Sequence, residues 1–561
     1  MRAPGRLSQG GSAFIVPGVI ILLALAGLVG FPLFKLVRVS VEQGWASIDR
    51  VLRAPGLSAA ASHSLILAFL VPLFAVPVGS AMAVILRAVD VPGRVALRVI
   101  VVLPLIIPQF VLGYSWTQAY GPAGFTDSLL GFHWAGLTGP VGVLVVLAVD
   151  SVPLSYLLTS AALATRAQPE LERAARVSGA NGWVVVRTVT VPLLRPILAA
   201  EFVLTFVAAL EAFAVPQVLG TPAGFSTVTT RIYSDLTMAA SPDAFMDSVT
   251  LALGLVVLAA IILVPADIAL GPSLRSIRTP NTAGPQQTHR RQGWAGPAVA
   301  VVIAAYGLLA VGMPTIALAA AAINRAVGLP PTPDNWTLRN FSEALSRPVV
   351  VALGHSLLLA TTAATTLTVL GVLTTIIERT RAGRTLGTLT TLAFAIPGST
   401  LAVGLLIAYG ALVREGLTLI FLGYLAKFWA LAHRTTSAAA DRIPPAEGQA
   451  ARTSGAHWAA AAATVWLPAM WPALVGAWLL VFIAALHEIT ISSLLYSFDN
   501  QTLAVAVLNS EELGDVGRTA ALSVVLTAMI LLAALIAWLL VRYFARSRAQ
   551  PAARRAMIHV D

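Results

Sequence analysis

Long apolar runs recur along nearly the whole chain and restrict its fold more than any other feature. They lie at about 14–38, 64–86, 97–118, 140–163, 193–219, 246–270, 295–322, 350–376, 387–409, 417–437, 469–495 and 518–543. Each approaches or exceeds the roughly 20 residues that a helix needs to cross a bilayer. A backbone in lipid must satisfy its own hydrogen bonds, as a helix does. The sequence therefore predicts an all-α polytopic membrane protein with about 12 transmembrane helices.

Composition and charge support a bilayer as the surroundings of this chain. Hydrophobic residues make up 57% of the sequence and charged residues 11%, whereas a soluble domain has about 25% charged residues. The net charge is +11, and the excess is arginine, because Lys35 and Lys427 are the only lysines. The arginines lie between apolar runs and fall on one side when twelve spans are counted. We expect a multi-pass cell-membrane protein with both termini cytoplasmic and no nucleic-acid partner.

One long polar segment divides the chain near its middle. Residues 271–294 contain proline, glycine and four charged side chains, and six predicted spans lie on either side. An even number of spans gives both halves the same orientation, as in parallel repeats. We predict a first transmembrane domain at 1–270, a cytoplasmic linker at 271–294, a second transmembrane domain at 295–545 and a cytoplasmic tail at 546–561.

Internal similarity supports these two parallel six-helix repeats. The segment ERAARVSGANGWVVVRTVTVPLLRP at 172–196 matches GQAARTSGAHWAAAAATVWLPAMWP at 448–472 at 10 of 25 positions, with an offset of 276 residues. Earlier in each half, HSLILA at 63–68 corresponds to HSLLLA at 355–360. Matched glycines and prolines at fixed spacing make chance similarity between alanine-rich helices a poor explanation.

Each copy of the longer segment lies between the fourth and fifth spans of its half, on the arginine-rich side. Residues 170–177 are expected to form a short helix after Pro169, to end at Gly179 and to lead to Pro192, where the next span begins. A short helix held between two spans can transmit movement to both of them. A helix that only caps the bundle at the interface is the alternative.

The repeated segment resembles the EAA loop of binding-protein-dependent ABC importer permeases of type I, in their fused two-domain form. The matching residues are Glu172, Ala174, Ala175, Gly179, Pro192, Ala450, Ala451, Gly455 and Pro468. In that family this loop is the coupling helix that docks on an ATP-binding subunit. The second copy has Gly448 where the first has Glu172, so contacts with the two ATPase subunits are expected to be asymmetric.

The resemblance implies a transport subunit that is not itself an enzyme and that needs partners. Those partners are two ATP-binding cassette subunits and an extracytoplasmic solute-binding protein. Neither lysine follows a glycine as a phosphate-binding P-loop requires, so ATP hydrolysis is expected in another chain. Cysteine is absent, which removes thiolate catalysis, disulfides and cysteine-ligated metals, and no cofactor is expected.

Ionisable residues within the predicted spans are the candidates for a translocation path, because charge in a bilayer is costly. We assign Glu201, Glu211, His487 and Glu488 to this path, with Glu211 and His487 at equivalent repeat positions. Buried ion pairing or capping of helix ends is the alternative, and we favour structural pairing for Asp150 and Lys427. A single histidine is weak support for metal binding, so no metal site is assigned.

The segments LPLIIPQFVLGY at 103–114 and AIPGSTLAVGLLIAYG at 395–410 resemble the fused permeases of ferric-iron uptake. Carboxylates suit a hard cation such as ferric iron. Thiamine, phosphonate and polyamine permeases of the same family remain alternatives. An ion-coupled secondary transporter would also be built from parallel repeats.

Overall fold

The computed structural model describes residues 15–42, 44–53, 55–166, 169–239, 241–275, 295–379, 383–413, 416–455, 460, 462–497 and 499–557. Within these residues the chain is predominantly helical, and the β-bridge between Asn324 and Trp336 is isolated. The helices are α1 (Ile15–Leu25), α2 (Phe31–Glu42), α3 (Trp45–Arg53), α4 (Pro55–Ala88), α5 (Arg94–Val102), α6 (Gln109–Tyr120), α7 (Phe125–Leu130), α8 (Pro140–Arg166), α9 (Pro169–Val177), α10 (Gly182–Val185), α11 (Val191–Leu210), α12 (Val228–Thr237), α13 (Pro242–Arg275), α14 (Ala295–Gly307), α15 (Met313–Ile323), α16 (Arg339–Ala344), α17 (Arg347–Glu378), α18 (Arg384–Ala393), α19 (Gly398–Tyr409), α20 (Gly416–Ala440), α21 (Pro445–Thr453), α22 (Leu467–His487), α23 (Thr490–Leu495), α24 (Leu503–Glu512) and α25 (Val516–Met557).

Ten helices among the described residues are long and apolar enough to cross a membrane. They are Val16–Glu42, Gly56–Ala88, Pro140–Ala164, Gly182–Leu210, Pro242–Ala266, Ala295–Ile323, Arg347–Glu378, Gly416–Ala440, Ala463–His487 and Val516–Leu540. The number is 11 if the bent pair Arg94–Ile106 and Gln109–Leu130 forms one span. The all-α polytopic class is confirmed, and the chain is a multi-pass membrane protein.

The predicted spans at 97–118 and 387–409 are not continuous helices, because each is interrupted within its apolar run. In the first, the helix axis bends by 105° between Arg94–Ile106 and Gln109–Leu130. In the second, α18 and α19 are separated by residues 394–397. Both breaks occur at a proline with extended backbone, Pro108 (ψ 138°) and Pro397 (ψ 140°). Proline removes a backbone donor and disfavours helical geometry in the residue before it.

Matched glycines allow α4 and α8 in the first half, and α17 and α20 in the second half, to approach closely. A Cβ atom at Gly79 of α4 would lie 2.6 Å from the Val152 carbonyl oxygen of α8. At Gly371 of α17 it would lie 3.0 Å from the Ala432 carbonyl carbon of α20. Small residues permit such backbone contacts between membrane helices. The two helix crossings therefore use the same device at equivalent positions.

The chain folds into two compact units. One contains Met1–Gln43, Arg347–Ala506 and Ala528–Asp561, and the other contains Gly44–Ser346 and Val507–Thr527. In the first unit, α1 packs on α17 and α18, and α2 packs on α19. In the second unit, α14 packs on α5 and α15 on α6. Each unit thus contains the first long helix of the other sequence half. The sequence boundaries at 270 and 295 stay a prediction, and residues 276–294 of the linker and 558–561 of the tail lie outside the described residues.

Candidate functional site

The two candidate coupling helices have the same length and the same ending. Helices α9 and α21 each contain 9 residues, and a glycine with positive φ follows each of them, Gly179 at 86° and Gly455 at 81°. Such left-handed glycines terminate helices because they carry no Cβ. Ser178 Oγ donates to the Ala174 carbonyl at 3.0 Å, and Ser454 Oγ does so to the Ala450 carbonyl at 2.9 Å. The sequence repeat is therefore a repeat of local structure, and the short helix predicted at 170–177 is confirmed.

The first candidate coupling helix, α9, exposes apolar side chains although it is short and polar. Leu171 is 45% exposed and Val177 89% exposed, while Glu172 and Ala175 are half-buried and Ala174 is exposed. Two exposed apolar side chains on this one short helix are available for contact with another protein.

In the second helix Ala450 is exposed and Ala451 is half-buried, as at their equivalents Ala174 and Ala175. The two helices thus present the alanines of the repeated motif in the same way.

Each candidate coupling helix is followed by a long helix, Gly182–Leu210 in the first half and Ala463–His487 in the second. Helix α10 starts after Asn181, whose side chain accepts a hydrogen bond from the Val184 amide at 3.0 Å. One π-helical turn, Val186–Thr190, joins α10 to α11, and the corresponding turn Ala462–Trp466 precedes α22. Pro192 and Pro468 lie in the first turn after these π turns.

The long helices therefore begin at Gly182 and Ala463, upstream of the predicted starts at 193 and 469. The predicted starts lie too far along the chain, because the prediction placed the start of each span at the proline, whereas each helix begins before its proline. Four residues, 178–181, separate α9 from the long helix. So short a connection keeps the end of α9 close to the start of the long helix.

Glu201, assigned to the path from sequence, lies inside the bundle of the first half. Its side chain is buried, and its two carboxylate oxygens accept hydrogen bonds from Thr159 at 2.8 Å and Ser80 at 3.2 Å. These three residues belong to α11, α8 and α4. Two hydroxyl donors offset part of the cost of burying the carboxyl group. The arrangement links three long helices of this half.

The sequence left two alternatives to a translocation path open, namely ion pairing and capping of a helix end, and Glu488 makes both kinds of contact. Its Oε2 atom accepts from the Ile491 amide at 2.8 Å and the Ser492 amide at 3.1 Å, which caps the start of α23. Its Oε1 atom lies 3.9 Å from Lys427 Nζ. Asp150 has a polar partner too, since Gln109 Nε2 donates to it at 2.7 Å. Lys427 and Asp150 are thus each paired within their own unit.

Glu211 and His487 occupy the same place in their halves. Glu211 follows the last residue of α11, and His487 is the last residue of α22. Both are half-buried. Both also lie at helix ends rather than in helix interiors. Among the described residues, no three His, Asp or Glu side chains are grouped so that they could hold a metal ion.

The sequence reasoning missed a contact that is repeated in both halves. Ser64 Oγ accepts a hydrogen bond from the amide of Val228, the first residue of α12, at 2.8 Å. Ser356 Oγ accepts one from the amide of Leu503, the first residue of α24, at 2.7 Å. Both serines are buried. Each holds the start of a short helix: α12 lies between α11 and α13, and α24 lies between α22 and α25.

In each half, the preceding histidine makes a second hydrogen bond to the residues just before the same short helix. His63 Nδ1 donates to the Ser226 carbonyl at 2.9 Å, and His355 Nδ1 to the Gln501 carbonyl at 3.2 Å. We call each pair a His-Ser clasp: His63 with Ser64, and His355 with Ser356. The matching HSLILA and HSLLLA segments carried this signal, because two polar residues stood together inside an apolar repeat.

A pair of adjacent carboxylates at the end of α24 was also missed. Glu512 accepts hydrogen bonds from Gln217 and Tyr233, each at 3.3 Å. Burial, together with the charge of Glu512, raises the pKa of the Glu511 carboxyl to about 7. This helix is too short to cross a bilayer, so no predicted span drew attention to it.

A family model agrees with the identity suggested by the coupling loops. The family described as "Binding-protein-dependent transport system inner membrane component" matches residues 75–270, which include α9 and its flanking long helices. A probable ABC transporter permease protein of Sinorhizobium fredii is 28% identical over 81% of this chain and 82% of its own length. The chain belongs to the permeases of binding-protein-dependent ABC importers.

Other relatives are permeases of inorganic ions. An Fe(3+)-transport system permease protein of Haemophilus influenzae is 25% identical to this permease over 87% of this chain and 91% of its own length. The molybdenum transport system permease protein of Escherichia coli is 35% identical over 27% of this chain and 66% of its own length. The first of these relatives spans both halves of the permease.

Membership of this family fixes the general role of the chain. The permease is a transport component of an importer that works with ATP-binding subunits and a solute-binding protein. It contains two candidate coupling helices of equal length and ending, as a fused two-domain permease requires. Family membership also argues against the secondary-transporter alternative.

Proposed function

We propose that the permease imports ferric iron across the cytoplasmic membrane. In this proposal two ATPase subunits hydrolyse ATP and dock on α9 and α21, and a solute-binding protein delivers the ion from outside. Both chain termini and both coupling helices face the cytoplasm. The coupling residues are those of the repeated motif, namely Glu172, Ala174, Ala175, Gly179, Pro192, Ala450, Ala451, Gly455 and Pro468.

The equivalent geometry of α9 and α21 is the observation that carries the coupling proposal. Both halves contain a helix of 9 residues that ends at a left-handed glycine. A common role of the two helices, as docking sites for two ATPase subunits, explains this equivalence. The exposed Leu171 and Val177 side chains give an ATPase subunit an apolar surface to bind.

Substitution of the two terminating glycines tests the coupling proposal. Gly179→Val with Gly455→Val places β-branched side chains at positive φ, which costs about 1–3 kcal/mol at each position and disturbs the helix endings. Purified with its ATPase subunits, this double variant should lose solute-stimulated ATP hydrolysis.

The matched control is Gly179→Asn with Gly455→Asn, because asparagine tolerates left-handed backbone. That control should keep most of the stimulated hydrolysis. Undiminished stimulation in the valine variant would contradict the coupling assignment.

The choice of ferric iron rests on a relative that aligns with both halves of the chain. That relative is an Fe(3+) permease, and it aligns with 87% of the chain. Buried or half-buried carboxylates at Glu201, Glu211 and Glu488 suit a hard cation. In this proposal they lie, with His487, along the translocation path. Thiamine, phosphonate and polyamines remain alternatives from the sequence.

The ligand of the partner binding protein tests the substrate. Native mass spectrometry of the co-expressed binding protein should detect bound ferric iron. Thiamine, a phosphonate, a polyamine or molybdate in its place would overturn the iron proposal and leave the coupling proposal intact.

A further inference from the structure

The first long helix of each sequence half contains one π-helical turn that precedes a proline. The turns are Ala26–Gly30, followed by Phe31 and Pro32, and Leu308–Gly312, followed by Met313 and Pro314. An offset of 282 residues relates both the turns and the prolines. The interruption is therefore repeated at equivalent positions in the two halves.

Each proline leaves one carbonyl of its π-helical turn without a backbone donor. In a π-helix the carbonyl of residue i bonds to the amide of residue i+5. Five residues before Pro32 is Gly27, and five before Pro314 is Leu309. Proline has no amide hydrogen, so neither carbonyl has its usual partner within the helix. In a bilayer such a carbonyl needs another donor from the protein.

A tyrosine from the other sequence half supplies the missing donor in each case. The Tyr409 hydroxyl donates to the Gly27 carbonyl at 2.7 Å, and the Tyr120 hydroxyl donates to the Leu309 carbonyl at 2.6 Å. Each tyrosine is the last residue of its helix, α19 or α6. The tyrosines are 289 residues apart, the same offset that relates the two proline breaks. Each contact lies within one compact unit.

The π-helical turn keeps one face of the span buried along its whole length. In the first half the buried face consists of Ile21, Leu25, Leu28, Pro32, Leu36 and Ser40. The equivalent residues of the second half are also buried, namely Ile303, Gly307, Ala310, Pro314, Leu318 and Ala322. Ser40 follows Ile21 by 19 residues, whereas five turns of α-helix need about 18 residues. The π-helical turn absorbs the one residue in excess.

An uninterrupted α-helix is a second state of the same segment. The excess residue would then rotate the part of the helix beyond the turn by about 100°, which would move Leu36 and Ser40 off the buried face. In an α-helix the carbonyl bonds to residue i+4, so the proline would leave the Leu28 carbonyl without a donor instead of the Gly27 carbonyl. The Tyr409 hydroxyl bonds to Gly27 and therefore favours the π-helical state.

We propose that Tyr409 and Tyr120 are positioning residues that select the π-helical state in the first long helix of the other sequence half. Each hydroxyl thereby sets which face of that helix packs on α19 or α6. The permease thus contains two equivalent elements with two states, and each is held by one hydrogen bond from a side chain. This role is independent of the transported solute and of the coupling function of α9 and α21.

Thiol labelling in lipid nanodiscs tests this inference, because the chain contains no cysteine. Ser40→Cys places a thiol on the buried face, where Ser40 is 5% exposed. N-ethylmaleimide should modify this thiol slowly, and mass spectrometry measures the rate. Addition of Tyr409→Phe should raise the rate by about 5- to 150-fold, the factor that corresponds to one buried polar group left without its partner.

Deletion of Gly30 provides the rescue. Gly30 lies in the turn and is exposed, and a Cβ atom there would meet nothing within 4 Å. Its removal brings the thiol one residue closer to Ile21, which is the five-turn spacing of an α-helix. The buried face is then restored without the π-helical turn. Ser40→Cys with Tyr409→Phe and this deletion should therefore return to the slow rate.

Three variants separate rotation of the helix from general loss of structure. Val41→Cys, at a position that is 70% exposed, should react fast with or without Tyr409→Phe. Ser399→Cys, at a buried position of the same unit, should stay slow when Tyr409→Phe is added. Tyr424→Phe removes another hydroxyl of this unit, one that bonds only to a side chain, and should leave Ser40→Cys slow.

The same experiment applies to the second half, where Tyr120→Phe should accelerate the labelling of Ala322→Cys. Acceleration at Ser40→Cys and at Ala322→Cys, with recovery on deletion of Gly30, supports the inference. It is overturned if Tyr409→Phe leaves Ser40→Cys slow, or if the deletion does not restore the slow rate. Faster labelling of Ser399→Cys together with Ser40→Cys would indicate general loss of structure and would also overturn the selective role.

Discussion

The His-Ser clasps predict that loss of one hydroxyl loosens one short helix. In the unaltered protein the Val228 amide donates to Ser64 Oγ at 2.8 Å. Ser64→Ala removes this acceptor and leaves the Val228 amide buried without it. An unsatisfied buried donor costs about 1–3 kcal/mol, which corresponds to a change in a local opening equilibrium of between about 5-fold and about 150-fold. Amides at the start of α12 should therefore exchange with deuterium faster by that factor.

Hydrogen exchange followed by mass spectrometry, on the permease in lipid nanodiscs, measures this effect. Ser62→Ala is the matched control, since Ser62 is two residues away on the same helix and donates only to the Ala59 carbonyl on the exposed face. Ser356→Ala should accelerate exchange at the start of α24 in the same way, because Ser356 binds the Leu503 amide at 2.7 Å. Equal exchange in the Ser62 and Ser64 variants would refute the clasp.

Two further predictions concern packing and pH. Gly371→Ala should lower the unfolding temperature, because the added Cβ would lie 3.0 Å from the backbone of α20, and Gly79→Ala should do so through its 2.6 Å contact. Gly354→Ala, with nothing within 4 Å, is the control that should be neutral or stabilising; equal effects at all three positions would contradict close helix crossing. The pKa of Glu511, raised to about 7, means that the folded state holds a proton which the unfolded chain releases near pH 4.5. Stability should accordingly fall as pH rises from about 4.5 through 7, by at most about 3 kcal/mol, with solvent screening reducing this value. Glu511→Gln should flatten the pH profile of the unfolding temperature, and an unchanged profile would contradict the burial of this carboxyl.

The sequence predicted those features that depend on apolar length and on repeated local chemistry. Apolar runs of helical length gave the polytopic class, and the proline, alanine and glycine spacing at 169–179 gave a helix within one residue of its observed start. Gly179 was correctly predicted as a helix end, because few other residues adopt positive φ without strain, and Gly455 ends the equivalent helix in the same way.

The direction of the backbone after a break could not be predicted in the same way. Residues on both sides of Pro108 and Pro397 are apolar, so hydropathy continues through the breaks although the helices do not. Proline is tolerated inside some membrane helices, as Pro72 and Pro77 are in α4. Tertiary packing therefore decides which prolines interrupt a span.

Side-chain partners were the least accessible part of the candidate site. Glu201 meets hydroxyl groups from residues 42 and 121 positions away in the chain, and no local pattern encodes such a contact. Glu488 caps a helix within its own sequence neighbourhood, and this was one of the alternatives that the sequence left open.

ATP-dependent uptake tests the central claim most directly. The permease, reconstituted with its ATPase subunits and loaded binding protein, should accumulate ferric iron in proteoliposomes only when ATP is supplied to the side of α9 and α21. Uptake should cease in the Gly179→Val and Gly455→Val variant and persist in the matched asparagine variant. Accumulation driven by an ion gradient in ATP-free vesicles that lack the ATPase subunits would contradict the account.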